Sequence, residues 1–151
     1  MKARIKKKYL VLGIAAFVAV VALYPFESTV VSEWTLEVRD VDGNLCQNMR
    51  VTESWAHYSL FLGPNGKTDD RFTDLNGLVV FPERTVRATG LRRVVVPIFA
   101  HILTIAHGSV GADGAVWASG LKDVAWLSYT PGKPLPYNML VEECIARNHS
   151  D

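Results

Sequence analysis

The first 26 positions contain no acidic residue, and the whole 151-residue chain contains only two cysteines. No HExxH, no paired Cys/His spacing and no nucleophile-elbow pattern occurs. Local sequence therefore supports neither a zinc site nor a motif-bearing hydrolase. A basic footprint is missing as well. Once the five Lys/Arg of the N-terminal segment are set aside, 11 basic residues face 15 acidic ones, a net of −4. Nucleic-acid binding rests on neutralising phosphates with a basic surface, so no nucleic-acid partner is expected. No residue set asks for a cofactor or a metal, and none is assigned.

What is present begins with a basic tail over 1–8, carrying Lys2, Arg4, Lys6, Lys7 and Lys8. An unbroken apolar run from Leu10 to Tyr24 follows. All the local positive charge precedes the run, which predicts a cytoplasmic N-terminus and a translocated remainder. Two readings compete for 9–26. A signal peptide needs an apolar stretch of about 7–15 residues and a small-residue cleavage site. A spanning helix needs at least about 17 apolar residues, and Tyr9–Phe26 just reaches that. The one tolerable cleavage site, Val20-Val21-Ala22, is followed by bulky Leu23, Tyr24 and Pro25, so an N-terminal transmembrane helix left uncleaved is the expectation. Either reading places the following domain in the periplasm or outside the cell, as a single-pass membrane protein. There Cys46 and Cys144 form a disulfide candidate, with two separate buried thiols as the alternative.

Beyond a connector over 27–32, the stretch 33–146 reads as one β domain and 147–151 as a tail. Trp34, Leu36 and Val38 alternate with Thr35, Glu37 and Arg39, the period of a half-buried strand. Asp40, Asp42, Gly43 and Asn44 then supply turn chemistry, as do Asp74, Asn76 and Gly77 further on. Further strands are expected at Met49–Trp55, Tyr58–Leu62, Leu78–Phe81, around Val86, Ala115–Ala118, Val124–Tyr129 and Tyr137–Cys144. Asp69–Thr73 reads as a polar edge or loop. Val94–Val96 reads as strand-like and Ile98–Ala106 as a short helix, with an all-strand reading as the alternative. The Pro-rich loop 131–136 cannot sit inside a sheet. Seven or eight short strands separated by turn clusters, with room for one short helix, are the profile of a mainly β chain folded as a β-sandwich. Trp34, Trp55, Trp117 and Trp126 are expected to supply much of its core.

The stretch Trp34–Val86 resembles the carboxypeptidase regulatory-like domain, a transthyretin-like (prealbumin-like) β-sandwich of the broader Ig-like type. The residues carrying the resemblance are Val38-Arg39-Asp40-Val41-Asp42-Gly43-Asn44, Val51, and Thr73-Asp74-Leu75-Asn76-Gly77-Leu78-Val79-Val80-Phe81. The chain departs from the pattern near Gln47-Asn48 and in the long insert 55–71, and nothing from Leu91 onward matches. The resemblance implies a structural or ligand-contact module. A related branch hydrolyses hydroxyisourate, but its C-terminal tetrapeptide has no counterpart in Asn148-His149-Ser150-Asp151, so no catalytic residue is carried over.

Each remaining constellation has a plain alternative. The two Asp/Asn–Gly motifs could hold a hard cation, but the further ligands of a calcium loop are missing and turn chemistry explains them. A triad of Ser109, His57 and Asp69 can be written on paper without any local pattern behind it. Arg92 and Arg93, with Arg84 and Arg87, make a small basic cluster. Tyr129 and Tyr137 flank the proline loop and could offer a contact surface. The leading expectation is a membrane-anchored envelope module that binds a protein or glycan partner or serves structurally. A small transthyretin-related hydrolase is the alternative, and it requires His57 or His107 to meet an arginine in a deep site.

Overall fold

The computed structural model describes residues 2–61, 66–104 and 111–144. Two helices and nine strands run in the order α1 (Lys2–Leu23), β1 (Pro25–Val31), β2 (Trp34–Asp40), β3 (Arg50–His57), β4 (Lys67–Phe72), β5 (Leu78–Phe81), β6 (Arg84–Thr89), α2 (Gly90–Thr104), β7 (Ala112–Ser119), β8 (Val124–Ser128) and β9 (Asn138–Val141). The strands form a two-stranded ribbon β1-β6, a three-stranded sheet β5-β2-β9 and a four-stranded sheet β4-β3-β7-β8. All pairings are antiparallel except β2 with β9, which places Val38 opposite Met139.

The alternation in β2 does what the period demands. Trp34, Leu36 and Val38 are buried, and Thr35, Glu37 and Arg39 are half-buried on the other face. Val79 and Phe81 of β5 and Met139 and Val141 of β9 extend this apolar face. Val51 of β3, Val116 and Ala118 of β7, and Val30 and Val31 of β1 join the same cluster. One core thus draws on all three sheets. Trp34 is the largest side chain in it, and its indole Nε1 donates to the Pro136 carbonyl at 2.8 Å, so the one polar atom of a fully buried ring is satisfied.

The second Asx–Gly turn seats against β2 and the chain just after the first turn. Gly43 and Gly77 have φ of 87° and 68°, the left-handed region that glycine enters at no steric cost. Gly77 also comes close to β2: the Val38 N–H donates to its carbonyl at 2.9 Å, and a Cβ there would lie 2.9 Å from the Val38 oxygen. Cys46 and Cys144 are joined in a disulfide with Cα atoms 5.2 Å apart, closing a separation of 98 residues. The bond ties the loop after β2 to the chain just beyond β9.

Several expectations need correction. No connector separates the N-terminal segment from the domain. Residues 25–31 are a strand, whose Val30 and Val31 are fully buried. Tyr58–Leu60 is a turn, because His57 C=O accepts from Leu60 N–H at 3.1 Å. For the polar stretch read as an edge or loop the edge alternative holds: Lys67–Phe72 is an edge strand, held to β3 by register and by Arg50 and Thr52 bonded to Asp70. Charged side chains there blunt an exposed sheet edge. The helix α2 starts at Gly90 and runs through Pro97 to Thr104, taking in the Val94–Val96 segment read as strand-like. Thr89 caps it, its Oγ1 accepting from Arg92 N–H at 3.3 Å. Of the four tryptophans only Trp34 is fully buried; Trp126 is 58% exposed and stacks on Trp117 outside the core. Where a spanning helix is expected over 9–26, α1 has 22 residues, but its first turns are the basic tail. Among the described residues no helix is long and apolar enough to cross a membrane.

Removing the disulfide tests how far the core stands alone. In the chain-entropy model a loop of about 100 residues contributes about 4.7 kcal/mol at most. Cys46→Ser with Cys144→Ser should therefore lower the urea midpoint strongly without changing the secondary-structure spectrum of the folded chain. Reductant should reproduce that shift in the unaltered chain and have no effect on the double variant.

Candidate functional site

On β3 the inward parity reads Val51, Glu53, Trp55, His57. The first is core; the second is a carboxylate with no exposed surface. The β1-β6 ribbon brings Arg84 to it. Arg84 donates to Glu53 Oε2 at 2.7 Å and to Asp69 Oδ2 of β4 at 2.5 Å, and its guanidinium lies 4.1 Å from the centre of the Trp55 ring. Arg71 also reaches Asp69, at 3.1 Å, and donates to the Val80 carbonyl at 2.9 Å. The second oxygen of Glu53 is buried and receives no hydrogen bond.

Burial and ion pairing pull this cluster in opposite directions. Burial pushes the Glu53 carboxyl above its ordinary value, against the opposing pull of Arg84. Asp69 is held below the usual carboxylate range, chiefly by its bond to Arg84. The guanidinium thus pairs with an aspartate whose charge it favours and a glutamate whose burial works against its charge.

Beside this cluster, between the end of β3 and β6, lies a cleft of about 290 Å³ walled by Trp55, His57, Phe61, Lys67 and Val86. Arg92 lies behind its Phe61 wall. It donates to the Leu60 carbonyl at 2.7 Å and lies 4.3 Å over the Phe61 ring. Burial lowers the His57 pKa, so its imidazole is neutral at neutral pH. Two aromatic walls with a lysine at the rim suit a flat or anionic group. The described residues lining the cleft include no Ser, Thr, Cys, Asp or Glu.

Of the residues singled out from sequence, Arg84, Asp69 and His57 lie at this cluster or its cleft, and the two turn motifs do not. Asp40 accepts from the backbone and side chain of Asn44 at 2.8 and 3.0 Å, and Asp74 accepts from Asn76 and Leu78 N–H at 2.8 Å each. These bonds hold both aspartates below their usual range. Asp42 is exposed beside Gly43, and Asn76 is exposed beside Gly77. Among the described residues no group of three His, Cys, Asp or Glu could hold a metal ion. Tyr129 is half-buried against the core, whereas Tyr137 is exposed. Arg92 and Arg93 turn toward the domain rather than outward. Arg93 donates to Ser28 Oγ at 2.6 Å and to the Phe26 carbonyl at 2.7 Å. Ser109 and His107 lie outside the described residues. Asp69, the third member of the paper triad, is committed to Arg84 and Arg71. Sequence reading placed Arg84 in a basic cluster and missed its pairing with Glu53. The signal was available: Glu53 is a charged residue on the apolar parity of a strand.

No protein-family model matches the chain, and no characterised protein matches its sequence significantly.

Two outcomes follow from the cluster. The folded chain holds the Glu53 proton above the ordinary value of 4.5, where the unfolded chain has released it. Stability from this group is therefore full below that pH and is lost as pH rises through the folded value. Glu53→Gln should flatten the fall in unfolding free energy on the alkaline side of pH 4.5, read from urea titrations across pH. It should leave the acid-side loss, to which Asp69 contributes, in place. Arg84→Met leaves Glu53 buried without its partner and should cost about 3–5 kcal/mol at neutral pH. Arg84→Lys should recover only part of that, because a point charge cannot bridge two carboxylates and stack on Trp55 at once.

Proposed function

We propose that this chain is a membrane-held module of the cell envelope whose β domain, outside the cytoplasm, binds a protein or glycan partner or serves structurally rather than catalysing a reaction. The observation that carries this reading is α1. Its side chains from Tyr9 to Leu23 are apolar on every side, and the large ones stand exposed. A helix that is apolar all round has no stable place in water. Lysines at its start and none at its end set the direction of insertion, with the basic tail on the cytoplasmic side.

The apolar part is short, about 22 Å at 1.5 Å per residue, against a hydrocarbon core of about 30 Å. Lysine stems can snorkel at one end, and Tyr24 and Phe26, packed edge to face at 5.0 Å, extend the apolar surface at the other. Retention of the helix is favoured over its removal as a signal peptide. Gly90 of α2 leaves room for the Val21 carbonyl, and its N–H donates to Tyr24 C=O at 3.2 Å. The domain is fitted to the end of α1. The disulfide agrees with an oxidising compartment.

A transthyretin-like sandwich is the finer reading of the fold. It is supported by the core shared between the larger sheets and by the Asp74–Gly77 turn bonded to β2 at Val38. The resemblance to carboxypeptidase regulatory-like domains rests on those same turns. The hydrolase alternative would have to use His57 in the cleft, where the described lining supplies neither a nucleophile nor a carboxylate. A binding role suits that lining better, with Trp55 and Phe61 as contacts.

The test is a topology measurement on the full chain in its native membrane. The chain should resist carbonate extraction and keep its N-terminal peptide by intact mass. Protease added to the extracytoplasmic face should reach the β domain. Recovery of the chain in the soluble fraction, or protection of the domain from that face, would overturn the reading.

A further inference from the structure

Five apolar residues of α2 stand on its outer side, while Val96, 6% exposed, faces the domain. Leu91, Val94, Val95, Ile98 and Phe99 fall at the spacing of one helical stripe, and each is exposed, Val94 by 62%. Such a stripe ordinarily faces a core. Here Val96 and the guanidinium groups of two arginines face the domain instead. Arg92 is held at Leu60 and Phe61, and Arg93 at Ser28 and Phe26. These anchors fix the rotation of the helix, so the stripe cannot roll inward without breaking them.

The stripe is also continuous with α1. Gly90 abuts Val21 and Ala22, and Leu91 and Val94 share with Phe17, Val18 and Val21 an apolar hollow of about 340 Å³. Tyr24 and Phe26, the aromatic pair at the exit of α1, are exposed at the same junction. Amphipathic aromatics of this kind collect at the headgroup level. An apolar stretch of about 10–14 residues is too short to span and suits an interfacial or re-entrant segment.

We propose that α2 is a second membrane-contacting element, its outward stripe immersed among the acyl chains of the leaflet beside the last turns of α1. This rests on the reading that α1 lies in the bilayer. A lipid occupant is favoured over a protein because the stripe continues the apolar surface of α1 that is proposed to lie in lipid. The domain would then sit on the membrane with a fixed tilt, and the cleft beside Arg92 would lie close to the headgroups.

The test is photo-cross-linking of the full chain, reconstituted in vesicles of phosphatidylethanolamine and phosphatidylglycerol. Single p-benzoylphenylalanine replacements go in place of Val94, Ile98, Val18 in α1, and Val41, which is 67% exposed in the turn after β2. None of the four positions is buried, so folding should be retained. Lipid adducts at Val94 and Ile98 comparable to those at Val18, with only background at Val41, are the expected result. Adducts at Val18 without adducts at Val94 and Ile98 would overturn the proposal and leave the α1 reading standing. Adducts from Val94 or Ile98 to protein in native membranes, and not to lipid, would overturn it in favour of a protein partner. Background at Val18 would remove the α1 reading, and the proposal with it.

Discussion

One guanidinium joins the parts of this molecule. Arg84 opens β6, and through it the β1-β6 ribbon is fastened to the four-stranded sheet by bonds to Glu53 of β3 and Asp69 of β4. The ribbon in turn carries everything that faces the membrane in the reading above. Its first strand follows α1 directly, and its second runs into α2. A buried carboxylate is an expensive way to make such a joint, since desolvation can exceed the Coulombic gain. It is also a directional one. Apolar contacts between ribbon and sheet would tolerate sliding, whereas a guanidinium fixed at two carboxylates and an indole face has one position. The orientation of both helices against the β domain depends on that position.

The same principle of polar anchoring explains α2. Amphipathic helices normally dock by their apolar stripe and leave their charges to water. In α2 two arginines dock instead, against carbonyls and a serine of neighbouring segments, and the stripe is left outside. An arrangement of this kind is unfavourable in water, where exposed apolar area costs about 25 cal/mol per Å². In lipid the cost disappears and the arginine anchors remain. Local packing and environment therefore point the same way, toward a surface shaped for two solvents at once.

Much of the β domain was legible from residue pattern because two-residue periodicity and Asx–Gly turns act locally. The buried Trp34, Leu36 and Val38 and the positive φ of Gly43 and Gly77 follow from such signals alone. What escaped depends on distant partners. The edge strand β4 is too polar to be recognised by alternation, and exists because β3 offers it a ladder and Arg50 and Arg84 neutralise its aspartates. The segment 25–31 reads as a connector until β6 pairs with it. In α2, β-branched residues suggest extended chain, yet the 3.6-residue spacing of the stripe prevails over propensity. The candidate cluster had one visible sign, a glutamate on an apolar parity, and its partner Arg84 lies 31 residues away.

The absence of a flexible connector has a mechanical consequence. A domain tethered by loose chain can turn freely on its membrane helix, and any partner must pay for its orientation on binding. Here the chain passes from α1 to β1 across Tyr24 alone, and β1 is paired along its length with β6. Gly90 bonds back to Tyr24, and Arg93 holds Phe26 and Ser28. Helix, ribbon and sheet are thus coupled by backbone pairing at one end and by Arg84 at the other. The cleft walled by Trp55 and Phe61 belongs to this coupled unit, so on the proposed membrane reading its orientation would be set before any ligand arrives. Pre-orientation of that kind lowers the entropic cost of recognising a partner confined to the same membrane. It gains nothing for one arriving from solution. On the proposed membrane reading, that coupling suits a ligand confined to the same membrane.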